Sequence, residues 1–187
     1  MSSKDRVKSV RGVVFVNLQK RYGVRTSSLL TFVRSLKQRL KLEKREFNVC
    51  FVDDSSIRHL NLAYRGKDKA TDVLSFPWNE EGGAHPPGPA HAGDKNGFSN
   101  FLGDIVISVE TAQRNAEVEG HNTLNEIRWL ILHGVLHLLG YDHEKDAGQM
   151  VALELALRDK LEPAGGTGEK EKSKVKTLMA KGKIELV

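Results

Sequence analysis

The sequence predicts an α/β (α+β) fold in which one helix is buried on nearly all sides. Three observations predict it. Short β-branched runs alternate with stretches of helical periodicity, the alternation that lays helices against a sheet. The length, 187 residues, suits one domain with a sizeable core. Between residues 123 and 139, apolar residues fall on every side of a helix: Leu124, Ile127, Ile131, Val135 and Leu138 form one stripe, and Leu130, Leu132, Leu136 and Leu139 fill the other faces. A helix apolar all round belongs in a core.

The elements follow in order. The run from Gly12 to Leu18 is rich in β-branched residues and reads as the first strand. Ser27 or Ser28 is placed to cap a helix with Leu29, Val33, Leu36 and Leu40 on its apolar face. Its remaining faces carry Arg34, Lys37, Gln38, Arg39 and Lys41, with Arg34 and Lys37 as candidate phosphate contacts or simply a solvated face. Phe47 to Val52 reads as a second strand, with Cys50 a small core residue rather than a nucleophile. Asp53 or Asp54 caps a helix containing Ile57, Leu60, Leu62 and Tyr64, in which His59 is a surface or packing histidine.

Gly66 ends that helix, and a charged loop leads into a strand from Asp72 to Phe76. Arg65, at a helix end beside a strand, can clamp a phosphate with its planar fork. The structural alternative is an ion pair from Arg65 to Asp68 or Asp72. Residues 79–100 hold Pro86, Pro87 and Pro89 among several glycines, the composition of an insertion that acts as lid or spacer. The separation of His85 and His91 inside it argues against a metal site there. A strand from Leu102 to Val109 and a helix from Glu110 to Glu119, ended by Gly120, follow. Asp146 caps a final helix with Met150, Leu153, Leu157 and Leu161 on one face, and Pro163 stops it. Residues 1–163 are thus expected to form one domain, and the Lys-rich residues 164–187 a mobile tail.

The buried helix carries the chemistry. It begins with a capping box, Thr123-Leu-Asn-Glu126, and contains His133, His137 and, beyond Gly140, His143: H-x-x-x-H-x-x-G-x-x-H. Residues four apart are neighbours on one helix face, so both imidazoles can reach one ion. Gly140 fits the left-handed position past a helix end, which lets His143 close a third corner. Core histidines bonded to carbonyls are the bland alternative for one histidine, but not for three at this spacing. Three ligands leave the fourth position of a tetrahedral site open, the pattern of a catalytic zinc. Zinc peptidases place a Glu directly after the first histidine as general base. Here Gly134 stands there, at a cost of about 1 kcal/mol against Ala within a helix. It is read as making room for a bulky ligand above the metal.

Charge and cysteine content bound the setting. One cysteine allows no disulfide within the chain, which fits a reducing cytoplasm. No apolar run approaches the ~20 residues of a membrane span. The first residues lack the apolar centre of a secretory signal; a basic organelle-targeting leader is the alternative. The net charge of +5 divides into +10 over residues 1–46, −8 over 47–163 and +3 over 164–187. Basic ends around an acidic middle point to an anionic partner, nucleic acid first.

Three segments together resemble one family: Arg65 to Phe76, Gly103-Asp104-Ile-Val-Ile-Ser108, and the histidine stretch H-G-x-L-H-x-x-G-Y-D-H. The chain resembles the YbeY family of bacterial ribosomal-RNA maturation endoribonucleases over about residues 10–160, the insertion excluded. The resemblance implies one Zn(2+) held by His133, His137 and His143. It implies a mixed β-sheet flanked by helices, similar to the zinc-peptidase core. It further implies cleavage of single-stranded RNA in 16S ribosomal RNA 3′-end maturation and ribosome quality control, with the small ribosomal subunit as partner. The family's arginine falls on Arg65.

The expected activity is therefore a metal-dependent endoribonuclease with His133 and Arg65 as catalytic residues. Arg65 offsets charge on the transition state. No general base is evident; zinc lowers the pKa of its water to about 7, or the substrate's 2′-hydroxyl attacks. Two alternatives stand beside it: a ribosome-assembly factor whose zinc only holds the fold, and a zinc peptidase, against which Gly134 counts.

Overall fold

The computed structural model describes residues 7–10, 12–78, 100–143 and 146–161. Five strands, β1 (Val7–Val10), β2 (Val13–Asn17), β3 (Glu46–Val52), β4 (Val73–Pro77) and β5 (Phe101–Ser108), form one sheet in the order β1-β2-β3-β5-β4. Strands β2, β3 and β5 run parallel, and the outer strands β1 and β4 are antiparallel to their neighbours. The five helices are α1 (Thr26–Arg39), α2 (Asp54–Arg65), α3 (Val109–Glu119), α4 (Thr123–Leu138) and α5 (Gln149–Leu161). The fold is the expected mixed α+β arrangement. The 79–100 insertion, apart from Asn100, lies outside the described residues, as do residues 164–187.

Alternation along the strands splits the core in two, because successive side chains point to opposite faces. Val13, Phe15, Phe47, Val49, Phe51, Ile105 and Ile107 face one way, toward apolar residues of α1, α4 and α5. Val52, Leu74, Phe76 and Val106 face the other way, toward Ile57 of α2. Cys50 is half-buried beside this second cluster, and burial followed by the nearby Asp104 charge pushes its thiol up to about 11. That holds it as a protonated thiol, a small packing residue.

Helix α4 is the central slab of the larger cluster. Ile131, Leu132, Val135 and Leu136 are fully buried there, each contributing roughly 1.5–3 kcal/mol of burial. Gly134 allows the close approach. A Cβ at this position would lie 2.8 Å from Ile105 Cγ2 and 3.0 Å from its Cδ1. The glycine therefore serves helix–sheet packing, and the expectation that it clears room for a ligand is corrected.

Asp53 caps α2, accepting from the Ser56 N–H at 2.8 Å. Asp146 accepts from the N–H groups of Gly148 and Met150 at the start of α5. The capping box expected at Thr123 is not the cap of α4: Thr123 is already helical, and Asn122 Oδ1 accepts the Asn125 N–H at 2.9 Å. Glu126 instead reaches His121 at 3.3 Å. Neither Ser27 nor Ser28 caps α1, which begins one residue earlier at Thr26, after Arg25. Leu62, read as an apolar residue of α2, is 47% exposed. Strand β1 was not anticipated, since Lys8 and Ser9 interrupt its apolar pattern. Among the described residues, no helix is long and apolar enough to cross a membrane.

Candidate metal centre

The end of α4 builds the site. Leu139 is its last half-helical residue, and Gly140 follows at φ +90°, in the left-handed region that a residue with a Cβ rarely adopts. The Gly140 N–H donates to the His137 carbonyl at 3.0 Å and the Tyr141 N–H to the Leu136 carbonyl at 3.1 Å. This pair of bonds is a Schellman motif, which closes a helix by satisfying its last carbonyls. The turn folds the chain back so that His143 faces the two helical histidines. Ring centroids of His133, His137 and His143 lie 4.7, 5.4 and 5.2 Å apart in pairs. One ring nitrogen from each comes within 4.8 Å of the others.

Hydrogen bonds decide which nitrogen each helical imidazole presents. His137 Nδ1 lies 3.0 Å from the Tyr141 carbonyl oxygen. A carbonyl only accepts, so Nδ1 carries the proton and Nε2 a lone pair. His133 Nδ1 lies 3.0 Å from Oε2 of Glu154. Burial pushes that carboxyl up, but the His133 bond and the Arg158 charge outweigh it and hold it below the usual range. Ionised, it too can only accept. The two Nε2 atoms then face each other at 3.0 Å with lone pairs and no proton between them. A cation resolves that conflict. Two imidazoles on one tetrahedral zinc, with Zn–N near 2.0–2.1 Å, place their nitrogens about 3.3 Å apart. The residues present therefore fit a zinc-type ion. Burial, then the neighbouring His133, lowers the His137 pKa and keeps its imidazole neutral and ready to coordinate.

The three histidines open onto a cleft of about 730 Å³ that also takes in Arg65 and residues 71–77 along β4. Arg65 is placed there by the end of α2. The Tyr64 ring meets Phe76 edge-on at 5.1 Å, and Gly66, left-handed at φ +66°, stops the helix directly after Arg65. The guanidinium that takes Asp68 belongs to Arg58, in a two-pronged contact at 2.7 and 2.8 Å. Asp72 accepts from the Val73 N–H and from Asn115. Arg34 and Lys37 do not line the cleft. Arg34 is exposed on α1, whereas Lys37 is 5% exposed and its Nζ donates to the Arg45 carbonyl at 2.6 Å. Burial lowers the Lys37 pKa despite the charges of Glu46 and Glu43. The expectation that Lys37 presents charge to phosphate is corrected: its ammonium ties α1 to the loop before β3.

Sequence reasoning missed Glu154. The signal was available, since residue 154 lies four after Met150 and three before Leu157, on the apolar face of α5. A carboxylate in such a stripe needs a partner. His59, by contrast, is exposed, and its Nδ1 lies 2.7 Å from the Ser55 carbonyl of its own helix.

Comparison with known proteins agrees with this architecture. The family model described as Endoribonuclease YbeY matches residues 16–162. The Endoribonuclease YbeY of Aquifex aeolicus is 43% identical over 145 residues, covering 78% of this chain and 85% of that protein. That of Moorella thermoacetica is 44% identical, covering 71% and 84%. A solution structure of a Thermotoga maritima protein shares the fold, with a TM-score of 0.52 at 24% identity over 86% of this chain and 93% of that one. Since the matched span runs from the end of β2 through the histidine helix to the end of α5, the chain belongs to the YbeY family of endoribonucleases.

Proposed function

We propose that the chain is a zinc-dependent endoribonuclease that cuts single-stranded RNA, acting on ribosomal RNA in 16S 3′-end maturation and ribosome quality control in the cytoplasm. Residues 1–163 would be the catalytic domain, and the small ribosomal subunit the partner. The observation that carries the reading is the convergence of three imidazoles and one arginine on a single cleft.

His133, His137 and His143 would hold the ion. Bound there, zinc supplies Lewis acidity toward a phosphoryl oxygen or a water. Arg65 contributes what a metal with one open position cannot: a planar, permanently charged fork that grips phosphate oxygens and offsets charge developing on them. His133 and His137 are half-buried, and Phe76 lines the same cleft, which lowers the local dielectric and strengthens that interaction. Along β4 the cleft is lined by the strand itself, which gives a single strand of RNA an extended surface to lie on. The position of the peptidase general base is taken by Gly134, packed on Ile105, which disfavours the peptidase reading.

The test is elemental analysis of the purified chain together with cleavage of a single-stranded RNA, with and without chelator. The expected result is one zinc per chain and cleavage that chelation abolishes. A 2′,3′-cyclic phosphate on the product assigns attack to the substrate's own 2′-hydroxyl; cleavage of a substrate carrying 2′-deoxyribose at the cut assigns attack to water. A chain that binds zinc yet cuts no RNA favours the assembly-factor alternative.

A further inference from the structure

We propose that Glu154, held by Arg158, is a positioning residue of the metal centre: it locks His133 as the Nδ1–H tautomer and aims its Nε2 at the ion. The assignment rests on the three-histidine metal reading above. Glu154 is 8% exposed and lies on α5, 21 residues from His133. Its two oxygens have separate tasks. Oε2 faces His133 Nδ1 at 3.0 Å, and Oε1 accepts from Arg158 Nη2 at 2.6 Å. An ion pair serving α5 alone would turn both oxygens to the guanidinium, the stronger bidentate geometry. Arg158 is itself fixed, its guanidinium lying 5.2 Å from the centroid of the Trp129 ring, and Trp129 meets Phe32 edge-on at 6.0 Å. The chain of contacts Phe32–Trp129–Arg158–Glu154–His133 thus runs unbroken from the core to the ligand.

The two helical ligands are held differently. His137 donates to a neutral carbonyl, that of Tyr141, whereas His133 donates to an ionised carboxylate. An anionic acceptor draws the Nδ1 proton and makes the opposite nitrogen a stronger donor to a metal, an effect worth about 10–100-fold in affinity. Arg158, 2.6 Å from Oε1, holds the carboxylate in place, so the imidazole stays oriented. His133 is then the ligand whose strength the protein sets at a distance.

The experiment compares the wild-type chain with Glu154→Gln and Glu154→Ala. Zinc affinity is measured by competition with a chromophoric chelator at fixed pH. The His133 tautomer is read in the metal-free chains from long-range ¹H–¹⁵N spectra at a pH where its imidazole is neutral. The expected wild-type form is Nδ1–H. Glu154→Ala should weaken zinc about 10–100-fold and populate the Nε2–H tautomer. Glu154→Gln, which keeps an acceptor without the charge, should fall between. If the alanine variant does not fold, the glutamine variant and the wild-type tautomer decide. Unchanged zinc affinity in the folded variants overturns the assignment, as does an Nε2–H tautomer in the wild type. A wild-type chain that takes up no zinc overturns the metal reading, and this assignment with it.

Discussion

Ile105 occupies the space that a side chain on residue 134 would need: a Cβ there would sit 2.8 Å from Ile105 Cγ2. Ile105 is fully buried and β-branched, so it has little room to give. Gly134→Ala gains at most about 1 kcal/mol of helix propensity and meets overpacking of about 1–3 kcal/mol. The substitution should therefore lower stability by about 1 kcal/mol and push α4 off β5. Because His133 and His137 ride on α4, zinc affinity should fall with it. Urea unfolding and zinc competition on the same preparation check this; a more stable variant with full affinity contradicts the packing account.

His137 should be indispensable to metal uptake. His137→Ala leaves two ligands and is expected to drop zinc content from one ion per chain to a small fraction. Added zinc should raise the melting temperature of the wild type, since a ligand at a hundred times its Kd stabilises by about 2.7 kcal/mol. The same zinc should leave His137→Ala unmoved. Elemental analysis and thermal scans measure both.

Arg65 separates chemistry from structure. It is exposed, and exposed substitutions usually change stability by no more than about 0.5 kcal/mol. Arg65→Ala should slow single-turnover RNA cleavage about 10²–10³-fold, the range for losing one transition-state donor. Arg65→Lys should lie between, since it restores charge but not the fork. Zinc content should be unchanged in both. Full activity in Arg65→Ala would remove the arginine from the mechanism.

The basic residues of α1 are expected to divide. RNA affinity should fall with rising salt, by about 0.7 in log K per log salt for each phosphate contact to a single strand. Arg34→Ala should reduce both affinity and that slope. Lys37→Met should leave them alone, because the Lys37 ammonium is spent on the Arg45 carbonyl. Filter binding at several salt concentrations distinguishes the two.

Glu126 gives a pH signature. Burial raises its pKa, with Asn115 and the charge of His121 pulling only partly the other way. A carboxyl whose folded pKa is raised contributes most below its unfolded value, near 4.3. That contribution is lost as pH rises through the folded value, and the charged form is then a cost. Glu126→Gln should therefore melt higher than the wild type at pH 7.5, with the difference shrinking toward pH 4. A variant that melts lower at pH 7.5 would show that the His121 contact outweighs burial.

What the sequence determined by itself was local. The i, i+4 histidines, the Gly140 turn, the Asp53 and Asp146 caps and the strand and helix periods all depend on residues within a few positions of one another, where chain geometry leaves little choice. The histidine triad was legible for that reason. What only the tertiary structure decided depends on neighbours far apart in the chain. Glu154 becomes the partner of His133 because α5 packs against α4. Gly134 serves Ile105 because β5 passes beneath the helix. Lys37 is buried because the loop before β3 brings the Arg45 carbonyl over it. Arg65 lines the same cleft as the histidines because α2, whose Tyr64 packs on Phe76, ends there. Side-chain burial is a property of the packed layers, and no spacing along α1 distinguishes a lysine that faces water from one that meets a carbonyl across a turn.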